Sequence, residues 1–241
     1  MKYLALDLET AESVPMSHWQ KFLPIPVACV AIYDSATGEC SVDWEKDVTL
    51  NHHLTSTSAV LIFERLIGAL DVGYQVVTWN GANFDFRVLY SLCDGEISQD
   101  VVRQVVMRST DPAFSMHATF GYHCGLQAAC EGMGVEGKLE DENVSGAQAP
   151  LAWSKGEHDL VLKYVRQDAR ITGTLYANIL KRGFMNWITK SKRVKSWMPN
   201  PNGRATRLPT VQESLELPEP DDTTWITNYR PVSSFVEWVP I

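Results

Sequence analysis

No apolar run in these 241 residues approaches the roughly 20 consecutive apolar residues that a membrane-spanning helix needs, so no membrane association is expected. Nor does a charged and apolar leader precede the first predicted strand, which begins at Tyr3, and the expected location is the cytoplasm. Cysteine is scarce. Cys29, Cys40, Cys93, Cys124 and Cys130 form no Cys-x-x-Cys pair, and an odd count argues against a disulfide framework and for reduced thiols. His117, His123, Cys124 and Cys130 come nearest to a zinc set, but their spacing matches no common ligand pattern and both residue types are often simply buried. Positive charge is also short: 21 Lys and Arg against 29 Asp and Glu leave a formal net charge of -8, unexpected for a nucleic-acid binder if net charge alone decided. No polymerase or helicase domain is expected within these residues. The 45% hydrophobic and 21% charged content suits a chain with a normal buried core.

What is present is a set of acids. Asp7 and Glu9 lie at i and i+2 in Leu-Ala-Leu-Asp-Leu-Glu-Thr, and the two-residue period of a strand aims both at one face. Leu4, Leu6 and Leu8 fill the alternate positions, while Tyr3 and Ala5 make the acidic face partly apolar, which is unusual for a solvent-facing edge. Asp85 follows in Trp-Asn-Gly-Ala-Asn-Phe-Asp-Phe. Tyr164 and Asp168, at i and i+4 in Tyr-Val-Arg-Gln-Asp, stand one helical turn apart on a stripe shared with Leu160, Ile171 and Leu175. An unpaired acid on an apolar stripe is costly, so a role for these groups is indicated. Carboxylate oxygens are hard ligands suited to Mg2+ or Mn2+, and two such ions can stabilise both the attacking and the leaving oxygen of a phosphodiester.

In these residues the chain resembles the DEDD 3'-5' exonucleases of the ribonuclease H-like superfamily, over residues 1 to 182. The resemblance rests on three motifs in order: Asp7-Leu8-Glu9, Asn80 through Phe84-Asp85, and Tyr164 through Asp168. The tyrosine places it with the branch whose third motif is Tyr-x-x-x-Asp. A sibling branch carries His five residues before the last acid, where this chain has Lys163. The resemblance implies that Asp7 bridges both cations, that Glu9 and Asp168 complete one, and that Asp85 reaches the other directly or through water. It also implies that Asn80, Phe84 and Thr10 contact the terminal nucleotide. Tyr164, with an ordinary phenol pKa of about 10, is better suited to orienting water than to acting as a free base.

Strands are predicted at 2–9, Val27–Tyr33 and Glu39–Trp44, the last two forming a hairpin around Ser35–Gly38. Helices are predicted at Ala59–Leu70, Ser98–Met107, Leu126–Met133 and Asp159–Arg182, with a Gly-rich acidic loop before the last. A short strand, Gln75–Trp79, delivers Asn80 to Asp85 into a further helix, so Asp85 is expected near a helix start. The fold class is therefore α/β, a ribonuclease H-like mixed sheet flanked by helices.

Residues 183–241 hold seven of the 12 prolines between Pro199 and Pro240 and read as an extended arm with little regular structure. Its apolar anchors, Trp187, Trp197, Trp225, Phe235 and Trp238, suggest packing on the core or on a second copy in a homo-oligomer. From Lys181 to Arg207 there are eight basic residues, Lys181, Arg182, Lys190, Lys192, Arg193, Lys195, Arg204 and Arg207, and no acid. Interleaved with Phe184, Trp187 and Trp197, they have the composition of a single-strand binding surface, with Lys190, Lys192, Arg193, Lys195 and Trp187 as contacts; a solvated charged face has the same composition. The expected function is a two-metal-ion 3'-5' exonuclease releasing nucleoside 5'-monophosphates from single-stranded nucleic-acid 3' ends, DNA favoured over RNA. Alternatives are an RNA-trimming exoribonuclease, an endonuclease of the wider superfamily, and an inactive nucleic-acid binder.

Overall fold

A central strand with a neighbour on each side organises the computed structural model, which describes residues 1–45, 53–137, 146–200 and 207–240. That strand is β1, Tyr3–Thr10. It pairs antiparallel with β2, Val27–Asp34, which pairs antiparallel with β3, Cys40–Trp44. Helix α1, Ser56–Asp71, then crosses one face of the sheet and leads to β4, Gln75–Val77, parallel to β1 on its other side. The order is β3-β2-β1-β4, and a single parallel bridge from Val77 to Thr110 adds one rung beyond β4. Next come α2, Asp85–Ser91, and α3, Gln99–Arg108. Then follow α4, Pro112–Phe120, α5, Leu126–Met133, and α6, Ala149–Ser154. The 25-residue α7, His158–Arg182, ends at Gly183. Beyond it lie β5, Met185–Ile188, β6, Val194–Trp197, and α8, Val211–Leu215.

Alternation along β1 separates the two faces. Leu4, Leu6 and Leu8 are buried with Ile62, Phe63 and Leu66 of α1 and Val102, Val105 and Val106 of α3. The opposite face of β1 and β2 meets α7, whose Ile171, Leu175 and Tyr176 pack with Ala5, and whose Val161, Tyr164 and Val165 pack with Ala28, Cys29 and Ala31. This contact is close. A Cβ at Gly173 would come within 2.9 Å of the Tyr3 and Tyr33 rings and 3.2 Å of the Ala5 Cβ, so a side chain there would have to push those rings aside. The sheet is thus mixed and flanked by helices.

Four departures from the sequence expectation have physical causes. The strand predicted at Gln75–Trp79 stops at Val77, because Asn80 adopts a left-handed φ of 67° and turns the chain. Helix α4 is buried from Pro112 to Ala118, so it shows no apolar stripe to betray it. Helix α6 sits at the end of the predicted Gly-rich loop, of which residues 138–145 lie outside the described residues. Finally, the region after Arg182 has more regular structure than expected: β5 and β6 form a hairpin, and α8 carries a Thr210/Glu213 capping box. The hairpin turn uses Lys192 at φ 59° where glycine or asparagine is usual, which hid the turn.

The rest of the arm packs on the core: Phe235, Val236 and Val239 are buried with Val211 and the α1–α3 cluster, and Trp238 Nε1 donates to the Ala82 carbonyl at 3.2 Å. Trp225 is no anchor, being 61% exposed. Arg204 lies outside the described residues.

Candidate functional site

Asp7 and Glu9 leave β1 on the α7 face, and Asp168 meets them from one turn of that helix. One carboxylate oxygen from each of the three lies within 4.8 Å of the others, and among the described residues this is the only group of three or more His, Cys, Asp or Glu side chains so placed. Asp168 is 1% exposed and Glu9 7%. Three converging carboxylates at such depth repel one another and offer hard oxygen donors to a divalent cation, so the donor set fits Mg2+ or Mn2+. Tyr164, one turn before Asp168, is 2% exposed on the same helix. Beneath the acids, Cys29 pairs across the strands with Glu9; burial first, then the charges of Glu9 and Asp7, push its thiol well above the ordinary range.

Asp85 approaches by a different route. Pairing of β1 with β4 ends at Ala5, and further along β1 the Leu8 backbone N–H donates to Asp85 Oδ1 at 3.2 Å. The carboxylate in the first turn of α2 is thereby docked to the strand at the residue between Asp7 and Glu9, but it is not one of the three that converge within 4.8 Å.

The loop that delivers Asp85 is held by a residue that the sequence motifs do not include, Asp111. Its Oδ1 accepts from the Asn80 and Phe114 backbone N–H groups at 2.9 and 3.0 Å, and its Oδ2 from the Ala82 N–H at 3.1 Å and the Thr78 hydroxyl at 3.3 Å. Burial pushes this carboxyl up, and the three backbone donors and the hydroxyl oppose the shift. One side chain therefore both caps α4 and clamps the turn after β4. Asp-Pro followed by apolar residues is a helix-start signal that would have flagged it.

The remaining predicted contacts divide. Phe84 packs edge-on against Trp19 with ring centroids 4.8 Å apart, immediately beside Asp85. Asn80 sits in its turn with Oδ1 accepting from Asn83 Nδ2 at 3.4 Å, and the Thr10 hydroxyl donates to the Glu12 carbonyl at 3.0 Å, so both side chains serve their own loops. Lys190, Lys192, Arg193 and Lys195 are exposed on the β5–β6 hairpin, Lys192 beside Glu131 at 3.5 Å and Lys195 donating to the Tyr122 hydroxyl at 3.1 Å. Trp187 is a correction. It is 4% exposed and packed against Phe120, because strand alternation turns Met185 and Trp187 inward, and in this conformation it offers no face to a base. Trp197, 3% exposed, is buried likewise. His117 and His123 are packing groups here: His117 Nε2 donates to the Arg230 carbonyl at 2.8 Å, and the two rings lie 5.9 Å apart.

Comparison with known proteins bears on the fold. The family model of the RNase H superfamily matches residues 36–180, a stretch that contains Asp85, Tyr164 and Asp168 and begins after β1. No curated protein matches the chain. Among solved structures, the family B DNA polymerase of the hyperthermophilic archaeon Pyrobaculum calidifontis is similar in fold, with a TM-score of 0.53 and 18% identity over 75% of this chain. The match covers 24% of that polymerase.

Proposed function

This chain belongs to the RNase H superfamily, and from that premise we propose that it is a metal-dependent 3'-5' exonuclease of the tyrosine-bearing DEDD branch, acting on single-stranded DNA. The observation that carries the reading is the convergence of Asp7, Glu9 and Asp168 within 4.8 Å, with Asp85 docked at Leu8 and Tyr164 one turn away. Asp7, Glu9 and Asp168 would hold one cation, and Asp7 with Asp85 the second. When bound, the cations lower the pKa of the attacking water and neutralise charge on the departing 3' oxygen. The protein's own part is positional. β1 and α7 fix the carboxylates with little freedom, so their charges need no reorganisation as the phosphodiester is cleaved. Tyr164 orients the water through its hydroxyl, and Phe84, braced by Trp19, borders the terminal nucleotide. The exposed Lys190, Lys192 and Arg193 of the hairpin contribute phosphate contacts further along the strand, whereas Lys195 is engaged by Tyr122. DNA as substrate is supported by the fold likeness to a DNA polymerase.

The test uses the full chain with 5'-labelled single-stranded DNA and RNA of one sequence, with Mn2+ or Mg2+ and with EDTA. A ladder shortening from the 3' end with release of nucleoside 5'-monophosphates is expected, lost on chelation and restored by metal. Internal cuts indicate an endonuclease, and binding without cleavage an inactive binder. Asp7→Ala, Glu9→Ala, Asp85→Ala and Asp168→Ala should each lower the rate by about 10²- to 10³-fold, the usual loss when a group that stabilises developing charge is removed. Tyr164→Phe should keep metal and strand binding and slow single-turnover cleavage by roughly 10- to 100-fold. Wild-type rates in any two acid variants overturn the assignment.

A further inference from the structure

We propose that the cleft between the β5–β6 hairpin and the arm that follows α8 binds a proline-rich protein segment in the polyproline II conformation, with an arginine or lysine at one end. The cleft has a volume of about 690 Å³ and lies among Tyr122, Met198, Leu217, Pro218, Pro220 and Trp225. None of these carries the carboxylate chemistry described above. Exposed large apolar side chains are ordinary when scattered, but here Met198 at 63%, Leu217 at 41% and Trp225 at 61% exposure line one concavity. The Trp225 and Tyr122 rings stand 5.4 Å apart at 75°, an edge-to-face pair in one lining with Pro218 and Pro220, and an aromatic-lined groove of this kind is what polyproline segments dock into. The Trp225 indole is held in place by its Nε1, which donates to the Asp222 carbonyl at 3.1 Å.

Charge selects among occupants. Glu219, Asp221 and Asp222 line the cleft, against Lys195 as the one cation among the described residues of its lining. Lys195 is already engaged, lying 5.4 Å over the Tyr122 ring and bonded to its hydroxyl. A nucleic-acid strand would bring its phosphates against three carboxylates, whereas a basic residue flanking a proline run meets them favourably. A pre-extended polyproline segment also loses little entropy on docking.

The experiment observes the Trp225 indole N–H by NMR in the full chain, assigned by its loss in Trp225→Phe. The probes are two proline-rich peptides of about ten residues, one with arginine at each end, since such helices dock in either direction. Counterparts with glutamate in place of arginine and an oligothymidylate serve as competitors. One arginine peptide should shift the indole with saturation below about 1 mM and weaken as salt is raised. Trp225→Ala, whose binding is read from the peptide's own NMR shifts because it lacks the reporter indole, should cost about tenfold or more in affinity, as should the pair Glu219→Lys and Asp221→Lys, all three being exposed positions whose replacement leaves the core intact. The proposal is overturned if neither arginine peptide moves the indole at about 1 mM, if Trp225→Ala binds as the parent does, or if the glutamate peptides or oligothymidylate bind more tightly.

Discussion

At Asp111 four donors converge on one buried carboxylate, and the consequence of removing it follows from what is left behind. Asp111→Ala strands the Asn80, Ala82 and Phe114 N–H groups in the interior, each costing about 1–3 kcal/mol if it finds no other partner. The variant should lose several kcal/mol in urea unfolding, and well below its transition the Asn80–Asp85 turn should also loosen. Mn2+ affinity should then fall, which a merely global destabilisation would not cause in the folded population. Asp111→Asn retains one acceptor oxygen and should recover part of both losses. Parental stability in Asp111→Ala would refute the clamp. The same scale explains why composition misplaces Trp187: a tryptophan among lysines has one composition whether its ring faces a base or the core, and only the strand's register against α5 decides.

The hairpin and the tail owe their positions to other elements. A Cβ at Gly132 of α5 would meet the Trp187 Cα at 2.4 Å and the Asn186 carbonyl oxygen at 2.5 Å, backbone atoms that cannot rotate away. Gly132→Ala would gain about 1 kcal/mol of helix propensity, but overpacking against backbone costs about 1–3 kcal/mol or more, so the net sign is destabilising. Urea unfolding should show the loss together with altered Trp fluorescence; a rise in stability would mean that β5 does not sit on α5. The tail carries a pH dependence. His117 donates to the Arg230 carbonyl and stacks near Tyr229, with His123 behind it. Burial lowers both histidines, His123 to about 4 and with a further contribution from His117. Unfolded histidine, at about 6.5, binds protons that the folded pair refuses, so stability is full above about pH 6.5 and is lost as pH falls towards about 4. The His123 contribution is about 3 kcal/mol at most, since each tenfold weakening of proton affinity is worth about 1.4 kcal/mol. His123→Phe should flatten the melting temperature between pH 7 and pH 5; an unchanged slope would place the proton uptake elsewhere.

For the molecule as a whole, the acids that make the site oppose the fold that holds it. Asp7, Glu9 and Asp168 converge at depth in a chain already carrying a net charge of -8. Three carboxylates this close repel one another, so Asp168→Asn should melt higher than the parent in EDTA, by about 2–4 °C per kcal/mol of repulsion relieved. Added Mn2+ stabilises by mass action and should raise the parent more than the variant. If the parent melts higher in EDTA and both respond equally to Mn2+, the three acids do not form one metal site.

The sequence by itself determined the strands and helices whose residues alternate or recur: Tyr3–Thr10, Val27–Asp34, Leu126–Met133 and His158–Arg182 lie within two residues of their predicted bounds. It also determined that Asp7 and Glu9 share a face and that Tyr164 and Asp168 share a helical stripe, because those relations need only the periods of the backbone. Only the tertiary structure decided that the two pairs face each other across the β1–α7 contact, which is tight at Gly173. It alone decided that Asp85 docks on Leu8 and that Asp111 holds the turn between, since hydrogen bonds across 77 and 31 residues leave no local pattern. Helix α4 and the β5–β6 hairpin were hidden for related reasons. A helix buried on every side has no stripe, and a turn closed by Lys192 in the left-handed region has no glycine to announce it.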